Sequence, residues 1–183
     1  MEKGASTRAA IVGEALRQTT RAGLDGLSFG TLADALALSK SGLFAHFKAK
    51  EALQLAVLEA ANEQFQAKVL TPALARPGPR EQLLTLFTRY LDWMRDGCVY
   101  SMVAQEMDAL PEPVRAAFRD GQRRWRRTIG KLAAEVVGSE RSADVELQFV
   151  GLALAFQQAV KVFQDIGARR RVLAAFERTL EMT

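Results

Sequence analysis

The chain has 183 residues, 49% of them hydrophobic, and a formal net charge of +4. This composition excludes a disordered chain, and the length allows either one large core or a small domain beside a larger one. Cys98 is the only cysteine, so an intramolecular disulfide is excluded. The N-terminus lacks a signal-peptide core and no apolar run is long enough to span a bilayer, so we expect a cytoplasmic protein without a membrane partner.

The first predicted helix runs from Thr7 to Gly23, with Gly23 at its C-terminal end.

Positive charge is concentrated in the N-terminal fifty residues. Within residues 1–50, seven Lys and Arg residues oppose four Asp and Glu residues, which leaves +3. A basic N-terminal segment permits a polyanionic partner but does not prove one.

Two short helices are predicted next, between Ser28 and Lys50. Ser28 is a good N-cap for the first helix, and Ser39 is a good N-cap for the second. Leu43 and Phe47, four residues apart, are expected to face inward. The side chains that are expected to point elsewhere are Lys40, Ser41, Phe44 and His46. This pattern is typical of a helix-turn-helix, whose second helix lies in the major groove of DNA.

The rest of the chain is also predicted to be helical, and no strand pattern occurs in it. Pro77 and Pro79 flank a Gly in the clearest helix-breaking cluster, and Gly97, Gly138 and Gly167 are expected to end helices. The predicted fold is therefore all-α, with a helix-turn-helix domain at 1–50 and a larger helical domain at 51–183. The predicted helices after the first three are 51–75, 80–96, 100–110, 113–137, 144–165 and 169–182.

The helix predicted at 144–165 is apolar nearly all the way round, so it must be covered on more than one side. Gly151, Ala155 and Ala159 recur every four residues along it and leave a shallow groove for another helix. We therefore expect the last two helices to pair with a second copy of the chain in a homodimer. The alternative is that both helices close the core of the monomer.

The stretch from about Ser6 to Leu58 resembles the DNA-binding domain of the TetR/AcrR family of bacterial transcriptional regulators. The resemblance is carried by the block L-S-K-S-G-L-F-x-H-F-K-x-K-E-x-L, which is far more specific than a generic helix-turn-helix. It implies contacts with a double-stranded DNA operator. The implied roles are groove or base-edge contacts for Lys40, Ser41 and Gly42, a DNA-backbone contact for Phe44, and phosphate contacts for His46 and Lys50.

Elementary chemistry supports several of these roles independently. Lys40 is placed to reach guanine O6 or N7, and Lys50 and His46 supply affinity for phosphate that does not depend on sequence. A solvated charge is the alternative for both lysines, and a structural hydrogen bond that closes the turn is the alternative for His46.

Three positions depart from the usual pattern of the family. Phe44 replaces a common Tyr and loses a hydroxyl that can bind phosphate. Gly42 replaces a frequent Thr and allows only a backbone approach. Ala49 lacks the side-chain acceptor of a polar N-cap before the fourth helix. A DNA phosphate or water can bind the free amides there. These departures affect the operator sequence rather than the activity.

The resemblance also implies a small-molecule effector that binds among the C-terminal helices. We assign nine aromatic and methionine side chains to its pocket: Phe87, Tyr90, Trp93, Met94, Met102, Met107, Trp125, Phe149 and Phe156. The alternative is that these side chains only pack the core. A second set of side chains spreads round the helix at 113–137, and we interpret it as a solvated face with acidic partners. The residues of this basic set are Arg119, Arg123, Arg124, Arg126, Arg127 and Lys131. The alternative is that some of them line the entrance for an acidic or acyl-thioester effector.

No catalytic constellation is present in the sequence. His46 is the only histidine and is distant from Cys98, and no zinc spacing or phosphate-binding glycine loop occurs. We therefore predict no enzymatic activity, no metal and no cofactor. Cys98 is interpreted as a small buried hydrophobe, with redox sensing as the alternative.

Together these observations predict a ligand-responsive regulator, in most such cases a repressor, that binds a palindromic operator as a homodimer. The alternative is a helical small-molecule-binding protein that has lost specific DNA binding. Gly42 and Phe44 are the residues that leave room for this alternative.

Overall fold

The computed structural model describes residues 2–95 and 98–181. Over these residues the fold is all-α, as predicted, with no strand and with no helix both long and apolar enough to cross a membrane. The α-helices of this part of the chain are α1 Glu2–Ala22, α2 Phe29–Leu36, α3 Lys40–His46, α4 Lys50–Phe65, α5 Thr71–Leu74, α6 Pro79–Arg95, α7 Val99–Gln105, α8 Glu112–Val137, α9 Ser142–Lys161 and α10 Ala168–Glu181.

The chain forms two compact units that are both discontinuous in sequence. Unit 1 comprises Met1–Gln64 and Gly97–Gly121, and unit 2 comprises Phe65–Asp96 and Gln122–Thr183. The predicted division into domains at residue 50 rests on sequence motifs rather than on packing, and it stays a prediction.

Unit 1 has one apolar core that contains more than the three N-terminal helices. The inward stripe of α1 and the inward faces of α2 and α3 pack with α4, with α7 and with the first turns of α8. The segment from Val99 to Phe118 therefore contributes to the same core as the helix-turn-helix. Its most deeply buried side chains include Ile11, Leu24, Leu32, Leu43, Phe47, Leu53, Val57, Val103 and Val114.

Unit 2 has a core dominated by aromatic rings from α6, α9 and α10. The rings of Phe87, Phe149 and Phe176 are fully buried, and their centroids are 4.3 to 5.3 Å apart. Large apolar rings contribute most of the area that such a core removes from water.

Several helix ends agree with the sequence. Gly23 and Gly138 follow α1 and α8 with φ of +75° and +84°, a backbone conformation that glycine adopts at little cost. Asp96, Gly97 and Met182, which we assigned to other helix ends, lie outside the described residues.

The prediction that Gly167 ends the helix before it was wrong. That helix, α9, ends at Lys161, and left-handed Gln164 (φ +51°) turns the chain. The Asp165 N–H then donates back to the Ala159 carbonyl oxygen at 3.0 Å. Gly167 instead precedes α10, where its N–H donates to Asp165 Oδ1 at 2.9 Å.

The single helix predicted at 51–75 is interrupted by one π-helical turn, Gln66–Leu70. Pro72 follows this turn and has no N–H to donate to the Lys68 carbonyl four residues earlier. The Arg89 guanidinium donates to the Lys68 oxygen instead, at 3.2 Å. The proline is visible in the sequence, but the hydrogen bond from Arg89, 21 residues away, is not predictable from local spacing.

Candidate nucleic-acid interface

The first helix of the predicted helix-turn-helix, α2, is closed at both ends by short-range hydrogen bonds. Ser28 Oγ accepts from the Thr31 N–H at 3.2 Å, which makes Ser28 the N-cap as predicted. At the other end Ala37 is left-handed (φ +51°), and the Leu38 N–H donates to the Ala33 carbonyl at 2.9 Å. These bonds fix the tight turn that leads into α3.

The second helix, α3, is capped by Ser39, also as predicted. Ser39 Oγ accepts from the Gly42 N–H at 3.0 Å and lies 3.1 Å from Ser41 Oγ. The backbone amide of Gly42 is therefore engaged by the cap, and Gly42 itself is half-buried. Two of the predicted contact residues thus take part in the first turn of their own helix.

One face of α3 is anchored in the core of unit 1 and the opposite face is exposed. Leu43 and Phe47 are 0% and 1% exposed, as predicted. On the other side Lys40 and Ser41 are exposed, and Phe44 is 48% exposed although its ring centroid lies 4.5 Å from that of Phe29. His46 is half-buried in the last turn.

The Lys40 side chain runs beside the first turn of α2. A Cβ placed on Gly30 would lie 3.8 Å from Lys40 Cε and 4.0 Å from Nζ. The ammonium pairs with no carboxylate among the described residues. It therefore remains a solvated donor at the N-terminal end of the exposed face.

Lys50, predicted to bind phosphate, contacts the turn between α1 and α2. Its ammonium donates to the Asp25 carbonyl oxygen and lies 3.2 Å from Asp25 Oδ1. The side chains of Lys50 and Asp25 are 43% and 53% exposed, so the ion pair is at the surface. An ammonium has three donors, and these two contacts leave one of them for another acceptor.

Sequence reasoning missed two further contacts in unit 1. Glu106 Oε2 accepts from the N–H groups of Leu24 and Asp25, at 2.8 and 3.1 Å. The Arg8 guanidinium lies over the Phe47 ring, 4.8 Å from its centroid. No local spacing could have revealed the first contact, because Glu106 is 81 and 82 residues away in sequence.

The residues predicted to line an effector pocket are divided between the two units. Met102 and Met107 are in unit 1, and the other seven are in unit 2. Within unit 2 the ring of Phe65 lies edge-on to Tyr90, Trp93 and Trp125, at centroid distances of 6.0, 5.7 and 5.0 Å. The indole Nε1 of Trp93 is buried and has no hydrogen-bond partner among the described residues.

Two of the basic residues predicted to form a solvated face on α8, Arg119 and Arg126, have acidic partners. In unit 1 Arg119 donates to Glu112 at 3.0 Å, and the hydrogen bond from Arg115 holds the pKa of Glu112 below its usual value. In unit 2 Arg126 pairs with Glu146. A groove of about 520 Å³ lies there between α8 and α9, lined by Arg123, Arg126, Arg127, Gly130 and Glu146.

Cys98 is 1% exposed and begins the segment that contains α7. Two residues later the Tyr100 hydroxyl donates to Asn62 Oδ1 at 2.7 Å, and burial raises the pKa of this hydroxyl well above its usual value. These contacts tie α7 to α4 within unit 1. The two interpretations of Cys98, packing and redox sensing, stay predictions.

Two family models match the chain. The one described as bacterial regulatory proteins, tetR family, matches residues 11–57, and the one described as tetracyclin repressor-like, C-terminal domain, matches residues 79–176. Together the two matches include all of the helix-turn-helix and more than half of the chain. A search of curated proteins gives no match.

Solved structures share the fold at low sequence identity. A TetR transcriptional regulator from Chloroflexus aurantiacus is 20% identical with a TM-score of 0.85, and the alignment covers 100% of this chain and 98% of that one. AibR, solved in complex with isovaleryl coenzyme A and operator DNA, is 19% identical with a TM-score of 0.74 and coverages of 92% and 94%. A transcriptional regulator from Saccharomonospora viridis in complex with choline is 18% identical with a TM-score of 0.77 and coverages of 98% and 97%.

Proposed function

The chain belongs to the TetR family of DNA-binding transcriptional regulators, and from this premise we propose that it is a ligand-responsive repressor that binds a palindromic operator as a homodimer. The observation that carries the proposal is the two-sided character of α3. Leu43 and Phe47 fix the helix in the core, while Lys40, Ser41 and Phe44 are exposed along its outer side. A helix held in this way presents the same side chains to every DNA duplex it meets.

The proposed contacts divide into base recognition and backbone binding. Lys40 and Ser41, at the N-terminal end of α3, read base edges in the major groove, and Gly42 allows the helix backbone to approach closely. Phe44 packs against the DNA backbone, and His46 and Lys50 bind phosphate. The third ammonium donor of Lys50 is available for this contact even while Asp25 holds the other two.

The proposed dimer forms through α9. Its exposed side carries Leu147 and Leu154, which are 67% and 50% exposed, and the small exposed residues Gly151 and Ala155 lie alongside them. A contiguous apolar helix face of this kind is typical of an interface. Two-fold symmetry then makes the operator palindromic, with half-sites about 34–36 Å apart.

The proposed effector binds within unit 2, among the aromatic side chains that the sequence analysis assigned to a pocket. The buried N–H of Trp93 supplies an unused donor for such a ligand. An effector that favours one separation of the two α3 helices in the dimer would change operator affinity. A coupling of roughly 1–3 kcal/mol between effector binding and operator binding is enough for a switch. Isovaleryl coenzyme A and choline, present in two of the solved structures that share the fold, are the first compounds to test.

The experiment is a titration of the chain against the DNA upstream of its own gene, at two salt concentrations and with and without these compounds. We expect tight binding that weakens steeply with salt, because phosphate contacts release counterions. A true effector should release the DNA and change the emission of Trp93 or Trp125, the only tryptophans. Effector binding without any preference for one DNA sequence would instead favour a helical small-molecule-binding protein.

A further inference from the structure

The turn between α1 and α2 is held by side chains from distant parts of unit 1. Glu106, between α7 and the 3-10 turn that follows it, accepts from the N–H groups of Leu24 and Asp25. Gln54, on α4 and 1% exposed, donates from Nε2 to the Leu24 carbonyl at 3.0 Å. Both polar backbone groups of Leu24 thus have a side-chain hydrogen-bond partner.

Gly23 shows how closely Glu106 approaches this turn. The residue has a φ of +75°, and a Cβ built on it would lie 1.3 Å from Glu106 Oε1. Only glycine therefore fits while the Glu106 carboxylate is in place. The turn and the carboxylate are matched to each other in shape as well as in hydrogen bonding.

The same turn holds Lys50, which is the predicted phosphate contact. Asp25 donates its N–H to Glu106 and receives the Lys50 ammonium on both its carbonyl oxygen and its carboxylate. A continuous set of hydrogen bonds therefore runs from Glu106 through Asp25 to Lys50. A side chain that fixes Asp25 also fixes the place from which Lys50 reaches outward.

We propose that Glu106 is a positioning residue for DNA binding: it fixes the α1–α2 turn so that Asp25 holds the Lys50 ammonium at the place from which it binds phosphate. The proposal rests on the proposed function, because it assumes that Lys50 contacts DNA. A positioning role and a purely electrostatic role of Glu106 predict opposite changes in DNA affinity when its carboxylate is removed. Removal of a carboxylate near a DNA-binding surface should strengthen DNA binding if charge alone matters.

The test compares Glu106→Ala with Glu106→Gln. Both variants lose one negative charge, but only Gln keeps an oxygen that can accept from the two N–H groups. We expect Glu106→Ala to bind the operator on the order of tenfold more weakly than the wild type, and Glu106→Gln to recover most of that loss. The matched control is Asp108→Ala. Asp108 is exposed, lies two residues from Glu106, and its side chain makes no hydrogen bond or ion pair with a described residue. This variant should bind the operator no more weakly than the wild type.

A double-mutant cycle separates action through Lys50 from general damage. In the Lys50→Ala background, Glu106→Ala should lower operator affinity by less than about twofold, because the group that it positions is already absent. Lys50→Ala alone should reduce the salt slope by about one unit. An equal loss in both backgrounds would overturn the proposal, and so would equal affinities of Glu106→Ala and Glu106→Gln.

Asp25→Ala gives a second test that does not remove a buried contact. If Asp25 positions Lys50, this variant should bind DNA roughly threefold more weakly despite losing a negative charge. If Asp25 only competes with phosphate for Lys50, the variant should bind more tightly, and the proposal is wrong. A wild-type chain that binds no duplex would overturn the proposed function, whereas a wild type that binds normally beside unaffected variants would overturn the inference alone.

Discussion

The outer face of α3 and the outer face of α9 are both uncovered in the single chain, but they differ in chemistry. On α3 the exposed residues include Lys40 and Ser41, with Phe44 as the one large apolar side chain. On α9 the exposed residues include two large apolar side chains, Leu147 and Leu154, which are 67% and 50% exposed. A cationic polar face suits a polyanion, while an apolar face is covered at least cost by another apolar face.

The two faces should therefore respond to salt in opposite directions. Added salt screens the attraction between lysines and phosphates and so weakens DNA binding. Burial of apolar side chains is not weakened in this way, and salts such as sulfate strengthen it. A dimer that persists at salt concentrations where DNA is released would fit this difference.

The largest effect is expected from Leu154→Glu on α9, which places a charge in the proposed dimer interface. We expect a monomer in sedimentation equilibrium and an operator affinity at least about a hundredfold weaker, because two linked half-site contacts become independent. The matched control is Leu74→Glu on α5, since Leu74 is 44% exposed and lies outside the α9 face. A Leu154→Glu variant that stays dimeric would show that the partner covers another surface.

Lys40→Ala should have the next largest effect, on specificity rather than on assembly. Loss of one base contact should cost about 1–3 kcal/mol of discrimination at a single position in each half-site. The measurement is the relative affinity for a set of operators that each carry one base change. Lys50→Ala serves as the comparison, because it should weaken all of these operators alike. An unchanged base preference would exclude Lys40 as a base reader.

Local signals in the sequence were sufficient to predict the two faces. Ser28 and Ser39 cap their helices as expected, and the four-residue spacing of Leu43 and Phe47 identified the buried side of α3. The apolar character of the helix at 144–165 indicated that it needs a partner on more than one side. These features depend on neighbours three or four residues away, which a sequence displays directly.

The sequence could not reveal features that depend on contacts between distant residues. Glu106 contacts the α1–α2 turn from more than 80 residues away, and Arg89 donates to the Lys68 carbonyl within the π-helical turn at Gln66–Leu70. Nothing local marked Ala37 as left-handed, because alanine seldom adopts that conformation. The end of α9 at Lys161 was not visible in the sequence either, because Gln164, rather than the predicted Gly167, turns the chain with a positive φ.

Ala37→Gly should change stability without altering either face. Glycine adopts a positive φ without the steric cost that alanine has, so the free energy of unfolding should rise by about 1 kcal/mol. Chemical denaturation measures this change, and Ala35→Gly, inside α2, is the control that should lower stability by a similar amount. Operator affinity per folded dimer should stay constant. A destabilised Ala37→Gly variant would contradict the left-handed assignment.

The smallest expected effect is that of Phe44→Tyr, which restores the hydroxyl that the family commonly has at this position. The ring is 48% exposed and packs on Phe29, so the added oxygen can reach solvent without disturbing the core. One new hydrogen bond to phosphate should tighten operator binding roughly threefold. The gain should be similar for all operator sequences, because a phosphate contact carries no base information. Phe29→Tyr is the control, and a gain as large from that variant would mean that added polarity, rather than a directed contact from α3, strengthens binding.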